Sequence, residues 1–300
     1  MNIKIVQGDA LEELKKVKDK SVDCILTDPP YFLSKLDDNW KYKLLKEDKP
    51  NSHIKHLPKG MKFDKKQTKA LYDFYLEFSK ICFQKLKPGG WFLSFSAPRL
   101  YHAIAMAVDI AGFEIRDAIN WVYTQNQPKG MSVNRSINTL NLDNGQKEKL
   151  RVLYKNHKTP GMKSCYEPIC VAMKPVEGRF IDNELNFNTG LLNFGEKVGR
   201  NKVIANVVTV DEFDDVYDSN FLVSKPSKKE KGFSNIHISV KPLTLIEHLL
   251  RIFTKEGSMV VDPFLGSGTT AVACQRTKRK CLGIERESEY IKICFQRLDT

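Results

Sequence analysis

No run of apolar residues in this 300-residue chain approaches the roughly 18 that read as a membrane span, and MNIKIVQGDA at its start lacks the basic, apolar, small-residue succession of a secretory leader. Seven cysteines, at 24, 82, 165, 170, 274, 281 and 294, are odd in number and never spaced as CxxC, so neither a zinc site nor a disulfide ladder is spelled out. These absences predict a soluble, cytoplasmic chain with reduced thiols and no membrane partner. Acidic residues are in deficit: 36 Asp plus Glu against 48 Lys plus Arg leave a formal charge of +12. Such a field attracts polyanions, nucleic acid first, although it also serves solubility alone, so the motifs must decide. With 41% apolar residues the chain buries a full core, as one large domain with an inserted module or as two domains.

The periodicity is that of an α/β fold. IKIVQ and VDCILT are short β-branched runs separated by the charged helical stretch LEELKKV, the rhythm of a parallel sheet. Leu71, Phe74, Tyr75, Phe78, Ile81, Cys82 and Leu86 recur at helical spacing, and Lys87-Pro88-Gly89-Gly90 is expected to stop that helix before a new strand, WFLSF. Residues 114–123 and 167–174 read as two further strands, a pair at one sheet edge. Between 176 and 236 the periodicity fades, with the basic patch KPSKKEKG near the end, which predicts an inserted module. An apolar-faced helix over 241–254, SMVVDPF, a helix from about 268, RKCLGIE and a closing helix then resume the rhythm. The polar stretch 32–68 reads as a mobile loop, either merely solvated or touching a polyanion backbone. His53 and His56 within it have HxxH spacing but no evident third ligand, so no metal site is assigned.

Residues 260–270, VVDPFLGSGTT, place an acid and then Gly266 and Gly268 between a buried strand and a helix. Glycines let the backbone turn sharply and approach a ligand, while free helix N–H groups favour a carboxylate or phosphate. No lysine follows, so this is not a triphosphate loop, and the third glycine of the dinucleotide fingerprint is missing. Glu285 ends the next expected strand, where a carboxylate accepts two hydrogen bonds from a ribose diol, or alternatively balances the dipole of the last helix.

Thr27-Asp28-Pro29-Pro30-Tyr31 directly follows a hydrophobic strand. Consecutive prolines hold the chain rigid and leave carbonyls that no ladder uses. A planar ring bearing an amino group would stack on Tyr31 while Asp28 and a proline carbonyl accept its two N–H bonds. An isolated DPP would be only a rigid turn; DPPY after VDCILT is more specific.

With these motifs the chain resembles the S-adenosylmethionine-dependent amino-methyltransferases of DNA, in the β group that places DPPY before the glycine motif. GDALEELK, SVDCILTDPPY, LKPGGWFLSF, INWVY, YEPICVAMKP, VKPLTLIEHLL, VVDPFLGSGTT and GIERESEY resemble family blocks in the family's order. The resemblance implies a Rossmann-like, circularly permuted methyltransferase sheet. Its catalytic domain would comprise 1–175 and 237–300, with a target-recognition region at 176–236. Asp28, Pro29, Pro30 and Tyr31 would be catalytic. Asp262, Phe264, Gly266, Ser267, Gly268 and Thr269 would surround the methionine half of S-adenosylmethionine, Glu285 its ribose, and Asp9 with Ala10 the adenine end. Lys241, followed by Pro242, would complete the methionine end. His237 falls near the family's usual histidine, with its role open. The permutation implies that the first strand and the last strand-helix unit meet in space.

The implied activity is direct methyl transfer to the exocyclic N6 of an adenine flipped out of double-stranded DNA. Asp28 favours adenine, since family members acting on cytosine N4 more often have Ser there. Cytosine N4, an RNA adenine, a protein amide and a non-catalytic DNA-binding protein on the same fold are the alternatives. Lysines and arginines of 32–68 and of KPSKKEKG would contact phosphates, and 176–236 would read bases. A homodimer and an accompanying restriction endonuclease are left open as partners.

Overall fold

The computed structural model describes residues 3–29, 65–123, 130–162, 164–196, 206–208, 225–231 and 240–299. Pro30, Tyr31, His237, His53 and His56, with residues 32–64 of the 32–68 segment and 197–205, 209–224 and 232–236 of the 176–236 segment, lie outside the described residues. Residues 65–68, expected in the loop, instead open a helix.

Alternation of apolar side chains along otherwise fully buried strands sets the layering. Strand β2 (Val22–Thr27) is buried throughout, yet Cys24 and Leu26 pack to one face and Val22 and Ile25 to the other. Helices α1 (Ala10–Lys16), α2 (Lys65–Lys85) and α3 (Tyr101–Ile110) cover one face, with Phe74, Phe78 and Ile104 in that core. On the other face lie α8 (Leu243–Phe253) and α9 (Thr269–Arg276), with Leu245, Leu249 and Ala273. Helices on both faces are what a parallel sheet with near-continuous apolar strands requires.

Among the described residues eight strands run in the order β1-β8-β7-β2-β3-β5-β4-β6. Those not yet given are β1 (Ile3–Gln7), β3 (Leu86–Phe95), β4 (Glu114–Val122), β5 (Tyr166–Met173), β6 (Val207–Val208), β7 (Met259–Asp262) and β8 (Lys280–Glu285). The first five in spatial order are parallel, and β5 is antiparallel to both β3 and β4. This is the expected Rossmann-like doubly wound sheet. β1 lies beside β8, Gln7 opposite Glu285, and α10 (Ser288–Leu298) closes the layer. The two strands expected over 114–123 and 167–174 do pair near one edge. Between them sit α4 (Asn134–Asn138) and α5 (Asn144–Leu153). No helix among the described residues is long and apolar enough to cross a membrane.

One boundary differs from expectation. Lys87-Pro88-Gly89-Gly90 does not precede the strand but lies inside it: Val22 pairs with Leu86 and Cys24 with Trp91. The extra residues form a bulge, with Gly89 at φ +72°. The freed Pro88 carbonyl accepts from Thr189 Oγ1 (2.6 Å) and Asn183 Nδ2 (3.1 Å). Asn183, buried on α6 (Phe180–Phe187), thereby fastens the start of the 176–236 segment to the sheet. Opposite the bulge, Asp23 receives Lys87 Nζ (2.5 Å) and the Met259 amide (2.6 Å).

Candidate active site

β7 leads through α9 to one side of the sheet, and β2 leads through α2 to the other. Chains diverging from neighbouring parallel strands leave a crevice beyond their carboxyl ends, the usual ligand position in such sheets. Along that edge stand, in strand order, Asp9 after β1, Glu285 ending β8, Asp262 ending β7, Asp28 after β2 and, beyond β3, Glu167 at the start of β5. Among the described residues five carboxylates thus lie along one rim, with the buried ammonium of Lys241 among them.

Asp28, Lys241, Asp262, Phe264, Gly266, Ser267 and Thr269 line a single cleft that opens to solvent. The DPP segment and the glycine turn therefore face each other. Gly266 and Gly268 both have positive φ, +56° and +85°. At Gly268 a Cβ would also lie 2.9 Å from Cys294 Sγ, so α10 packs where any side chain would project. Arg297 of α10 steadies this turn, donating to the Ser267 carbonyl (2.8 Å) and Thr269 Oγ1 (3.1 Å). No local pattern in the chain singles out Arg297.

Asp262 is engaged within the protein. It accepts from Thr27 Oγ1 (2.9 Å), the Phe264 amide (3.1 Å) and Thr270 Oγ1 (2.6 Å). Burial pushes its carboxyl up to about 6, against the pull of those three donors. Its position ties β2 to the glycine turn. Phe264 sets its ring edge-on to Phe78, 5.5 Å between centroids, joining the turn to α2.

Glu285 accepts from the Gly266 amide (2.7 Å) and the Glu287 amide (2.9 Å), and burial raises its pKa despite these bonds. The Arg286 amide also faces this carboxylate, and of its roughly four acceptor positions one is left for a ligand hydroxyl. Asp9 caps α1, accepting from the Leu11 and Glu12 amides at 3.0 and 3.2 Å, and Ala10 behind it is buried. The Gly8 amide donates to the Glu285 carbonyl, which keeps Asp9 and Ala10 one strand from Glu285.

Lys241 stands at the foot of α8 beside Pro242. Its Nζ bonds Asp28 Oδ2, lies 3.3 Å from Glu167 Oε2 and sits 5.0 Å over the Phe95 ring. Burial alone would lower its pKa, but Asp28 and then Glu167 outweigh that and hold the ammonium above its usual value. Pro29 is buried behind Asp28. The family resemblance assigns Lys241 to the methionine end of the cofactor rather than to Asp28, and no motif in the sequence singles out Glu167. The available signal was a carboxylate directly before Pro168 at the mouth of a buried strand.

A family profile described as DNA methylase matches residues 22–296. The chain is similar to the type II methyltransferase M2.DpnII of Streptococcus pneumoniae, 28% identical over 299 residues that cover 98% of this chain and 89% of the relative. Among solved structures, PvuII DNA methyltransferase, described as cytosine-N4-specific, superposes with a TM-score of 0.63 at 17% identity, over 99% of this chain and 86% of that one. A DNA modification methylase from Thermus thermophilus, solved in complex with S-adenosyl-L-methionine, gives 0.55 at 19% identity, over 99% and 93%. At these identities the structural likenesses speak for the fold.

Proposed function

The chain belongs to the DNA methylase family, and from that premise we propose that it transfers the methyl group of S-adenosylmethionine to the exocyclic N6 of an adenine in double-stranded DNA. The observation that carries this reading is the single cleft lined by Asp28 on one wall and the glycine turn on the other. S-adenosylmethionine fits the donor set: its ammonium and sulfonium are cationic, and the rim is a row of carboxylates. Gly266, Ser267, Gly268, Thr269, Phe264 and Asp262 form the methionine end, with Asp262 acting by holding the turn. Glu285 takes a ribose hydroxyl, and Asp9 with Ala10 the adenine end.

When bound, the cofactor supplies an electrophilic methyl carbon. The amino nitrogen of adenine is a poor nucleophile because its lone pair is delocalised into the ring. Asp28 and the Pro29 carbonyl accept its two N–H bonds and localise that pair. As the nitrogen becomes tetrahedral and positive, its protons become better donors, so the same acceptors bind the transition state more tightly than the ground state. Asp28 then takes one proton from the methylated nitrogen and passes it to water. Lys241, shared with Glu167, fixes the direction of the Asp28 carboxylate. Reaching the base means rotating it out of the duplex, at a cost of a few kcal/mol, with Tyr31 as the stacking face. Phosphate contacts from 32–68 and KPSKKEKG offset that cost, and base reading falls to 176–236. The type II label of the pneumococcal relative extends the reading to a companion restriction endonuclease.

The test is transfer of labelled methyl from S-adenosylmethionine to duplex DNA, followed by digestion to nucleosides and mass spectrometry. N6-methyladenine with the wild type, and at least a roughly 100-fold loss with Asp28→Ala, are expected. N4-methylcytosine alone would overturn the choice of base. No transfer to diverse DNA would leave a DNA-binding protein on this fold.

A further inference from the structure

The connection between β4 and β5, described over residues 130–162, makes poor use of its apolar residues. Ile137 alone is buried, while Val152, Leu153 and Met162 stand 69%, 63% and 91% exposed. The segment is nevertheless organised. Asp143 and Gln146 form a capping box on α5, Arg151 joins α5 to Asn138 of α4 (2.8 Å), and the Thr159 amide closes the base on the Met131 carbonyl (2.8 Å). An ordered surface segment with this much exposed apolar area marks an interaction site.

Its charge says with what. Within the segment Arg135, Lys147, Lys149, Arg151, Lys155 and Lys158 outnumber two carboxylates, Asp143 and Glu148. Asp143 is engaged as the helix cap, and Glu148 pairs with Arg151 at 2.7 Å. The segment is rooted where the Tyr123 amide donates to the Cys165 carbonyl (2.8 Å), two residues from Glu167 and so beside the Lys241–Asp28 pair. Lys225, from the basic stretch that continues into α7 (Lys228–Lys231), stands 4.2 Å over the Tyr123 ring. A second positive segment therefore meets the same root, on the rim where the target base must enter.

We propose that residues 130–162 are an arm that grips the DNA flanking the target base, its lysines on phosphates and its apolar tip against the groove. The proposal rests on the DNA methylase reading and adds an element to the recognition surface expected over 176–236. A second copy of the chain is the rival occupant, but it would bring two net-positive faces together, whereas duplex DNA complements them.

The experiment measures binding of a DNA duplex of about two helical turns by the full-length protein, by fluorescence anisotropy across a salt series. In the variant Lys147→Ala/Lys149→Ala/Lys155→Ala/Lys158→Ala, affinity is expected to fall about tenfold or more on any sequence. The slope of log K against log salt should shrink by roughly one for each phosphate no longer neutralised. S-adenosylmethionine binding by calorimetry should be unchanged, which shows that the variant is folded. An unchanged affinity and slope overturns the proposal. So does a Val152→Glu/Leu153→Glu variant that dissociates a dimer in sedimentation while leaving DNA binding intact. Methyl transfer by the wild type is scored separately: its absence sinks the parent reading, whereas transfer with an unchanged salt slope sinks only the arm.

Discussion

Lys241→Met keeps a long apolar side chain against Phe95 but removes the ammonium that Asp28 and Glu167 share. Lys241 is 7% exposed, and the carboxylate side chains are 19% and 21% exposed, so solvent screens the loss only in part. An exposed pair would be worth at most about 1 kcal/mol. Removing one partner from a buried cluster costs about 3–5 kcal/mol, because the carboxylates left behind stay desolvated and now repel each other. Against a total stability of about 5–15 kcal/mol, that lowers the urea midpoint by roughly 1 M or more. Glu167→Gln alone costs less, since Lys241 keeps Asp28. In the Lys241→Met background it should restore about 1–2 kcal/mol by removing one unpaired charge. Equilibrium urea unfolding of the four proteins gives the ranking directly. Kinetics separate two roles for Lys241: if it aims Asp28, kcat falls about 100-fold while S-adenosylmethionine affinity barely moves. A Lys241→Met protein within about 0.5 kcal/mol of wild type, or a double variant weaker than Lys241→Met, would refute the shared-ammonium argument.

Gly268→Ala places a Cβ at φ +85° and 2.9 Å from Cys294 Sγ, so stability should drop by about 2–4 kcal/mol. Calorimetric affinity for S-adenosylmethionine should fall with it, and unchanged affinity would remove the turn from the cofactor site. A second test concerns pH. Asp262, at about 6 in the fold against 3.8 unfolded, binds its proton more tightly when folded, so its contribution to stability is lost as pH rises from about 4 to 6. His248 on α8, held down to about 4 by burial and by Arg251 against 6.5 unfolded, must charge on acidification, so its contribution is lost as pH falls from 6.5 to 4. Each amounts to roughly 3 kcal/mol, and the two nearly cancel in the wild type. Relative to wild type, Asp262→Asn should steepen acid sensitivity in that window and His248→Gln should reverse it. Flat difference curves for both variants would sink the assignment.

What could be read from the sequence was whatever the chain expresses locally. The β-branched-rich run VDCILT, the aromatic ladder of α2 and the glycine turn are each expressed within one helix or one strand and its exit. The order of the motifs was enough to place β1 beside β8. The start of β3 was misjudged because Pro88 and Gly89 signal a stop locally, whereas the bulge is stabilised by Asn183 and Thr189, 95 and 101 residues away. For the same reason Glu167 went unnoticed: its carboxylate has meaning only beside Lys241, which a different element delivers. Asp262 and Asp9 also accept protein donors, the first from Thr27, Phe264 and Thr270 and the second from the head of α1, a structural duty that no pattern of residue types reveals.

The rearranged chain order is harmless because the site depends on which strands are neighbours. Thr27 and Asp262 are 235 positions apart, yet one buried hydrogen bond joins them, since β2 and β7 pair in parallel register. Each strand then hands the chain to a helix on the opposite face, so the loops after both must diverge, and whatever follows the last strand residue lines the crevice between them. Asp28 follows Thr27 on one side, and Pro263-Phe264 follows Asp262 on the other. The buried carboxylate of Asp262 therefore does for the two walls what a linker could not: it fixes their separation at the point where they part. Reaction geometry requires nitrogen, methyl carbon and sulfur in line to within a few tenths of an ångström. Raising the pKa of a buried acid is then the physical consequence of placing a rigid tie there, with hydroxyl and amide donors rather than a cation to satisfy it.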